Sequence, residues 1–167
     1  MKVAKKLILI GPMGAGKSTL GKILSSELGW EYFDNDLDLR STHGLSVEQL
    51  AALPVDALHK LEREYLIQVI KKPAPFVSGA AGSVVDTEEI RSLIKTIFAI
   101  YLRLPIEKII ERAGSSGVGR QAIAVDGIQI LSERFERRDP LYKECAKATI
   151  ELSDSPELDA KKILDFL

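Results

Sequence analysis

The sequence has little cysteine, little histidine and no surplus of charge. Cys145 is the only cysteine in 167 residues, so no internal disulfide can form, and two histidines provide no Cys/His cluster typical of zinc sites. We expect Cys145 to be buried as a small hydrophobic side chain. With 23 lysines and arginines against 24 acids, the net charge of -1 argues against the basic surface of proteins that bind nucleic acid or anionic membranes.

Long hydrophobic runs are also missing. No apolar stretch approaches the length of a membrane span, and the basic start (Lys2, Lys5 and Lys6) leads into a run too short for a signal-peptide core. The length of 167 residues suits one domain, so we predict a single domain over residues 1–167. We expect a cytoplasmic monomer that binds a small molecule, and neither nucleic acid nor membranes.

What the sequence does contain is GPMGAGKST at residues 11–19, between an apolar run and a helical pattern. It matches the pattern G-x-x-x-x-G-K-[ST], in which glycines let backbone N–H groups surround a phosphate, lysine reaches the outer phosphates and serine offers its hydroxyl to Mg²⁺. The alternative is a glycine-rich turn with no ligand. The flanking patterns favour a nucleoside triphosphate site, formed by Gly11, Gly14, Ala15, Gly16, Lys17, Ser18 and Thr19.

Strand and helix patterns alternate along the rest of the chain, which predicts an α/β fold with a parallel sheet of about five strands between helical layers. Within this pattern, a helix over 127–138 is expected to end before Asp139 and Pro140, and a further helical turn or two follows over 141–147. Residues 114–125 are rich in glycine and serine, a composition that predicts a mobile lid.

Two acids, Asp34 and Asp36, follow the second predicted strand. Ligands gather at the carboxyl ends of strands in open parallel sheets, so one carboxylate could orient a metal's water shell and the other could accept a proton from an acceptor hydroxyl. The alternative is a turn with a helix N-cap. The sequence lacks the Asn-Lys-x-Asp element that reads guanine, and its other long strands end without an acid, which favours a kinase over a GTPase or a motor ATPase.

Six stretches then occur in one order along the chain: GPMGAGKST, Asp34-Asn35-Asp36, LHKLERE at 58–64, the small loop ending at Gly82-Ser83, Arg120 in the lid, and RDPLY at 138–142. This order resembles that of shikimate kinases and spans nearly the whole chain. The resemblance implies the three-layer P-loop fold of nucleoside monophosphate kinases. It also implies transfer of the γ-phosphate of ATP, with Mg²⁺, to the 3-hydroxyl of shikimate, in aromatic amino acid biosynthesis.

The resemblance implies roles for the residues at the reacting phosphate. Asp36 would contact the acceptor hydroxyl as a base or an orienting group, and Asp34 would help to hold magnesium through water beside Ser18. Lys17 and Arg120 would spread the charge of the transferred phosphoryl group, because such transition states need positioning and cations more than covalent help. Asp36, Lys17 and Arg120 are therefore the predicted catalytic residues.

Binding of adenine and of the acceptor is implied in the same way. Arg112 and the segment near Pro156 would flank adenine, and Arg138 would pair its planar guanidinium with the substrate carboxylate. An ordinary salt bridge at a helix end is the alternative for Arg138, and a solvated loop position is the alternative for Arg120. The expected substrate-binding residues are Asp36, His59, Ala81, Gly82 and Arg138.

The chain departs from the family pattern at three places. His59 stands where the family carries a second carboxylate-binding arginine, and histidine is shorter and only partly charged. Arg63, one turn later, could supply the lost charge, or His59 could be a solvated helix residue. Ala80-Ala81-Gly82 replaces a triple glycine, so a methyl group could close part of the pocket. Gln121 replaces the proline that usually follows the lid arginine.

These departures leave two other functions open. One is a related kinase for a different hydroxylated acceptor. The other is a nucleotide-binding paralogue with weak transfer activity, which would have no need of all five of Lys17, Ser18, Asp34, Asp36 and Arg120.

Overall fold

The computed structural model describes residues 5–116 and 125–167, in which strands and helices alternate as predicted. The strands are β1 (Lys6–Ile10), β2 (Glu31–Asp34), β3 (Phe76–Gly79), β4 (Phe98–Arg103) and β5 (Ala148–Glu151). The helices are α1 (Lys17–Leu28), α2 (Asn35–His43), α3 (Val47–Ala51), α4 (Val55–Lys71), α5 (Glu88–Ile94), α6 (Ile106–Ser116), α7 (Val125–Cys145) and α8 (Pro156–Phe166), with a 3-10 helix at Gly82–Asp86.

The five strands form one parallel sheet in the order β2-β3-β1-β4-β5. This confirms the predicted fold class. Gly79 near the end of β3 is paired with Leu9 of β1 on one side and with Asp34 of β2 on the other. The carboxyl ends of these three strands therefore lie side by side, and the loops that leave them share one edge of the sheet.

The core lies on both faces of the sheet, because every strand in the middle of a parallel sheet is covered twice. In β1, Ile8 and Ile10 face a cluster shared with α4, α5 and α7, whereas Leu7 and Leu9 face a cluster shared with α1, α6 and α8. Cys145 is 2% exposed within the first cluster, which confirms that it is a buried hydrophobic side chain.

Local capping explains where several helices begin. Asp34 caps α2 by accepting a hydrogen bond from the N–H of Leu37. Ser46 forms a capping box with Gln49 at the start of α3. Ser155 caps α8 by accepting a hydrogen bond from the N–H of Leu158, and Pro156 occupies the first turn. Among the described residues, no helix is both long and apolar enough to cross a membrane.

The predicted break at Asp139 and Pro140 is wrong, because α7 continues through both residues to Cys145. Proline removes one helical N–H, but Pro140 is exposed, so the carbonyl that loses its donor can bind water instead. Asp139 also links the two sides of Pro140: it accepts hydrogen bonds from Tyr101 of β4 at 2.7 Å and from Lys143 at 2.7 Å.

The helices on both sides of the predicted lid are longer than expected. Residues 114–116 belong to α6 and residue 125 belongs to α7, so helical structure replaces the predicted loop there. Ile106, Ile109 and Ile110 recur at helical spacing in α6, and the helix continues past Arg112 to Ser116. The rest of this prediction, residues 117–124, falls outside the described residues.

Candidate active site

The phosphate loop connects β1 to α1 across residues 11–16. Gly11, Gly14 and Gly16 have φ angles of 149°, 80° and 85°, which side chains with a Cβ rarely adopt. A Cβ on Gly11 would also lie 2.7 Å from the carbonyl oxygen of Leu102 in β4. The glycines of the motif are therefore required by the turn itself, and the turn aims backbone N–H groups and the start of α1 at one point.

Lys17 lies across this loop at the first position of α1. Its Nζ donates to the carbonyl oxygens of Gly11 at 2.7 Å and of Pro12 at 2.8 Å. On its other side, a Cβ on Gly79 would be 3.2 Å from the Lys17 Cβ, so β3 packs closely against the lysine. The ammonium group is thus held at the carboxyl edge of the sheet, over the loop.

Asp34 at the end of β2 joins the loop to the second strand. Its Oδ2 accepts hydrogen bonds from Ser18 Oγ at 3.0 Å and from Tyr32 Oη at 2.9 Å, while its Oδ1 caps α2. Burial of Tyr32 and the charge of Asp34 raise the pKa of the phenol, so Tyr32 stays protonated and keeps donating. The N-cap alternative is correct for Asp34, and the same carboxylate also lies beside the motif serine.

Asp36 is exposed in the first turn of α2. Its Oδ1 accepts a hydrogen bond from the side chain of Asn35 at 2.9 Å, and its charge is close enough to Tyr32 to help raise the pKa of that phenol. Asp36 therefore lies at the rim of the same edge, with its carboxylate accessible to a small molecule.

A cleft of about 200 Å³ lies on the other side of the phosphate loop, against the segment that joins β5 to α8. Arg112 lines it and donates from Nη1 to the Gly14 carbonyl at 2.9 Å. The cleft brings Arg112 and Pro156 together with Ala15, Gly16 and Thr19 of the predicted nucleotide site. Its lining residues are Ala15, Gly16, Thr19, Leu20, Arg112, Leu152, Ser153, Asp154, Pro156 and Asp159.

The opposite side of the site is built from the 3-10 helix and α7. Tyr142 donates to the Gly82 carbonyl at 2.7 Å. Arg138 is 6% exposed, and its Nε and Nη2 donate to the two carboxylate oxygens of Asp86 at 2.9 and 2.6 Å. Arg138 thus forms a salt bridge, but it does so in the interior of α7 and not at a helix end.

The electrostatics of Asp86 place several cations around it. Partial burial raises the pKa of Asp86, but the hydrogen bonds from Arg138 and the charges of Arg138, Arg137 and His59 lower it by more. The net pKa therefore lies below its usual value of 3.8. His59 is partly buried, and it lies close enough to Asp86 for its charge to contribute to this lowering of the pKa. Arg63, in contrast, forms no ion pair or hydrogen bond with the described residues.

Glu62 completes this side of the site. It is 8% exposed and its Oε2 accepts a hydrogen bond from Ser83 Oγ at 2.6 Å. Ala80 is 2% exposed inside the core cluster on the α4 and α7 face, and Ala81 packs against the same cluster. The Ala80 methyl group therefore fills core space and not the open edge of the sheet.

The chain is similar to known proteins over nearly its whole length. A family model described as shikimate kinase matches residues 13–167. The chain is 31% identical to the shikimate kinase of Buchnera aphidicola subsp. Baizongia pistaciae over 158 residues, covering 92% of this chain and 90% of that protein. The chain belongs to the shikimate kinase family.

The chain is also similar to other shikimate kinases over nearly its full length. That of Francisella tularensis subsp. novicida is 31% identical, covering 98% of this chain and 94% of that protein. The structure of shikimate kinase from Acinetobacter baumannii in complex with shikimate has a TM-score of 0.86 and 28% identity, covering 97% of this chain and 92% of that one. A gluconokinase from Sinorhizobium meliloti, at 13% identity and a TM-score of 0.61, shares the fold.

Membership of the shikimate kinase family makes this chain a phosphotransferase that acts on a hydroxyl group and uses ATP. Of the predicted site residues, Arg120 lies outside the described residues, as does Gln121. The others lie on one edge of the sheet, on the two sides of the phosphate loop. Two charged residues near this edge were not predicted: Asp86, which binds Arg138, and Arg134, whose charge lies close to both. For Arg134 the available signal was its spacing of four residues from Arg138, which places the two on one helix face. No pattern in the sequence marks Asp86.

Proposed function

We propose that the protein transfers the γ-phosphate of MgATP to the 3-hydroxyl of shikimate. The observation that supports this most directly is the junction at Gly82. A Cβ there would lie 3.4 Å from the carbonyl oxygen of Gly11 and 3.7 Å from Nη1 of Arg138. The phosphate loop and a buried cation suited to a carboxylate thus meet at one backbone position, so a donor phosphate and a small hydroxy acid could be neighbours.

At the nucleotide end, the loop N–H groups and the start of α1 would hold the phosphates. Arg112 and Pro156 would contact adenine in the cleft described above, since both line it. Lys17 would leave its present carbonyl partners for the outer phosphates, which offer a stronger charge-assisted acceptor. In the transfer step, Lys17 and Arg120 would offset the charge that develops on the transferred group.

The residues beside the loop fit a magnesium ion held mainly through water. Ser18 and Asp34 present hard oxygen donors 3.0 Å apart, and Mg²⁺ keeps several waters and uses substrate phosphates as ligands. Within residues 5–116 and 125–167 there is no group of three or more His, Cys, Asp or Glu side chains that could hold a metal alone. The ion would supply charge neutralisation at the phosphates, with Ser18 and Asp34 orienting its shell.

At the acceptor end, Asp36 would accept a hydrogen bond, and finally the proton, from the attacking hydroxyl. Its exposed position at the strand edge supports this role because the acceptor must reach it. The acceptor would be held by His59, the Ala81-Gly82 backbone and Arg138. The balanced charge of the chain gives no basic surface, which supports the proposal that the protein binds no nucleic acid.

The test is ADP formation by the purified protein with MgATP and shikimate, beside other hydroxy acids. We expect shikimate-dependent turnover, and a loss of about a hundredfold or more in kcat for Asp36→Asn, since positioned proton acceptors contribute at least that much. Asp56→Asn, an exposed acid in the first turn of α4, is the matched control and should leave turnover unchanged. Turnover with another hydroxy acid and none with shikimate would instead identify a kinase for a different acceptor.

A further inference from the structure

One face of α7 is anchored to the acceptor side of the site. Arg134, Arg138 and Tyr142 recur every four residues, so they lie on the same side of the helix. Tyr142 is fixed to Gly82 and Arg138 to Asp86 by the hydrogen bonds described above. Arg134 therefore extends this face by one turn, toward the same edge of the sheet.

Arg138 is already neutralised on one edge of its guanidinium. Nε and Nη2 bind the Asp86 carboxylate in a two-bond arrangement, and the pair carries no net charge. Nη1 is the atom that faces the small loop at Gly82. An acceptor anion can thus contact Arg138 through Nη1 while Asp86 stays in place, but the positive charge that attracts it must come from another group.

Arg134 is the group with that charge. It is partly buried, and it forms no hydrogen bond or ion pair with any residue that the structure describes. Burial is the largest cause of a lowered pKa for Arg134, and the charges of Arg138 and Arg137 lower the pKa further. The charge of Asp86 raises it in part. The guanidinium nevertheless stays protonated at neutral pH, so a cation next to two other arginines lacks a counter-ion of its own.

Arg137, one residue before Arg138, provides the contrast. Its side chain is 62% exposed, and its Nη2 lies 3.7 Å from Asp86, at the outer side of the pair. Arg137 carries the same charge as Arg134 and lies on the same helix. Its charge is screened by solvent, however, and its side chain leaves the helix in a different direction.

We propose that Arg134 is a specificity-determining residue of the acceptor site, and that its guanidinium binds the carboxylate of the acceptor together with Nη1 of Arg138. This rests on the proposed function. It assigns the second cation of the site to Arg134, and Asp86 then serves to orient Arg138 rather than to bind the acceptor.

The test compares Arg134→Gln with Arg137→Gln in steady-state assays of the whole protein with shikimate and ATP. For Arg134→Gln we expect the KM for shikimate to rise about tenfold or more, while kcat and the KM for ATP stay within about twofold of the wild-type values. This pattern is expected when the lost contact is made equally in the bound substrate and in the transition state. Arg137→Gln should change none of the three. Arg134→Lys keeps the charge without the planar fork, so its KM should lie between those of the wild type and Arg134→Gln.

A second substitution can show whether Arg134 acts through its charge or only supports the structure. Adding His59→Arg to Arg134→Gln places a full cation next to Asp86 from α4 and should recover at least part of the lost affinity for shikimate. The inference is overturned if Arg134→Gln leaves the KM for shikimate unchanged, or if Arg137→Gln raises it equally. If the wild type turns over ATP with no response to shikimate, the proposed function itself is wrong, and this inference falls with it.

Discussion

The ring of Tyr32 packs directly against the backbone of Gly21 in α1. A Cβ on Gly21 would overlap Cε2 of the ring and would lie 3.1 Å from Cζ and 3.2 Å from Oη. The same hydroxyl donates to Asp34, which also accepts from Ser18. A side chain at position 21 would therefore disturb both helix packing and the acid beside the phosphate loop.

We expect Gly21→Ala to lower the free energy of unfolding by about 1–3 kcal/mol, the usual cost of overpacking a filled site. Helix propensity alone would make Gly21→Ala more stable by about 1 kcal/mol, so a loss of stability would show that the clash dominates. Urea unfolding measures the change in the free energy of unfolding. The double variant Gly21→Ala with Tyr32→Leu removes the ring and should recover part of the loss. A Gly21→Ala protein more stable than the wild type would contradict this packing.

Replacement of Asp86 by asparagine removes the charged partner of a buried guanidinium. The Asp86 side chain keeps 26% of its surface exposed, so we expect a loss of about 1–2 kcal/mol at pH 7, less than for a fully buried pair. Urea unfolding of Asp86→Asn measures this loss. Glu89→Gln, an exposed acid in α5, is the control and should be neutral.

The same pair predicts a pH dependence with a defined sign. The folded pKa of Asp86 lies below its usual value of 3.8, so its stabilising contribution is present above that value and is lost as the pH falls through the folded pKa. The difference in unfolding free energy between wild type and Asp86→Asn should therefore be constant from pH 5 to 7 and shrink below about pH 4. A difference that grows in acid would rule out this sign.

Lys17→Met tests the phosphate loop. We expect kcat to fall about a hundredfold or more, because the lysine would stabilise charge on the transferred phosphoryl group. The protein should still fold, since the variant loses hydrogen bonds to Gly11 and Pro12 worth about 1 kcal/mol each. Lys22→Met, exposed on the same helix, is the matched control. Retention of kcat within tenfold by Lys17→Met would contradict the proposed role.

Pro140→Ala tests the continuous α7 helix. Proline inside a helix costs about 3 kcal/mol relative to alanine. Part of this cost is offset because proline also lowers the conformational entropy of the unfolded chain. We therefore expect Pro140→Ala to raise the free energy of unfolding by about 1–2 kcal/mol. Pro156→Ala, at the first turn of α8 where proline is well tolerated, should give no such gain. A loss of stability in Pro140→Ala would mean that the helix depends on the ring.

The site was predictable where its residues are close in sequence. Gly11, Gly16, Lys17 and Ser18 fall within one short motif whose geometry is set by local backbone rules, and the structure places them at the end of β1 as expected. The Asp86–Arg138 pair was not predictable in this way. Its members are 52 residues apart, and only the docking of α7 on the 3-10 helix brings them together.

The error at Pro140 has a related cause. Proline is a local signal for a helix end, but Asp139 is held by Tyr101 from a strand that precedes it by 38 residues. A tertiary contact therefore overrides the local preference, and the helix continues. The 3-10 helix at Gly82–Asp86 was likewise expected only as a loop, because small residues give no periodic pattern.

By itself, the sequence determined the alternation of strands and helices, the parallel sheet and the phosphate loop. These features depend on the spacing of apolar residues and on the positions of glycines, and both are set by residues close together in the chain. Only the tertiary structure decided which charges lie around Asp86: His59 comes from α4, and Arg134 and Arg138 come from α7. Electrostatic interaction depends on distance in space and on burial, and neither can be read from the separation of residues along a chain.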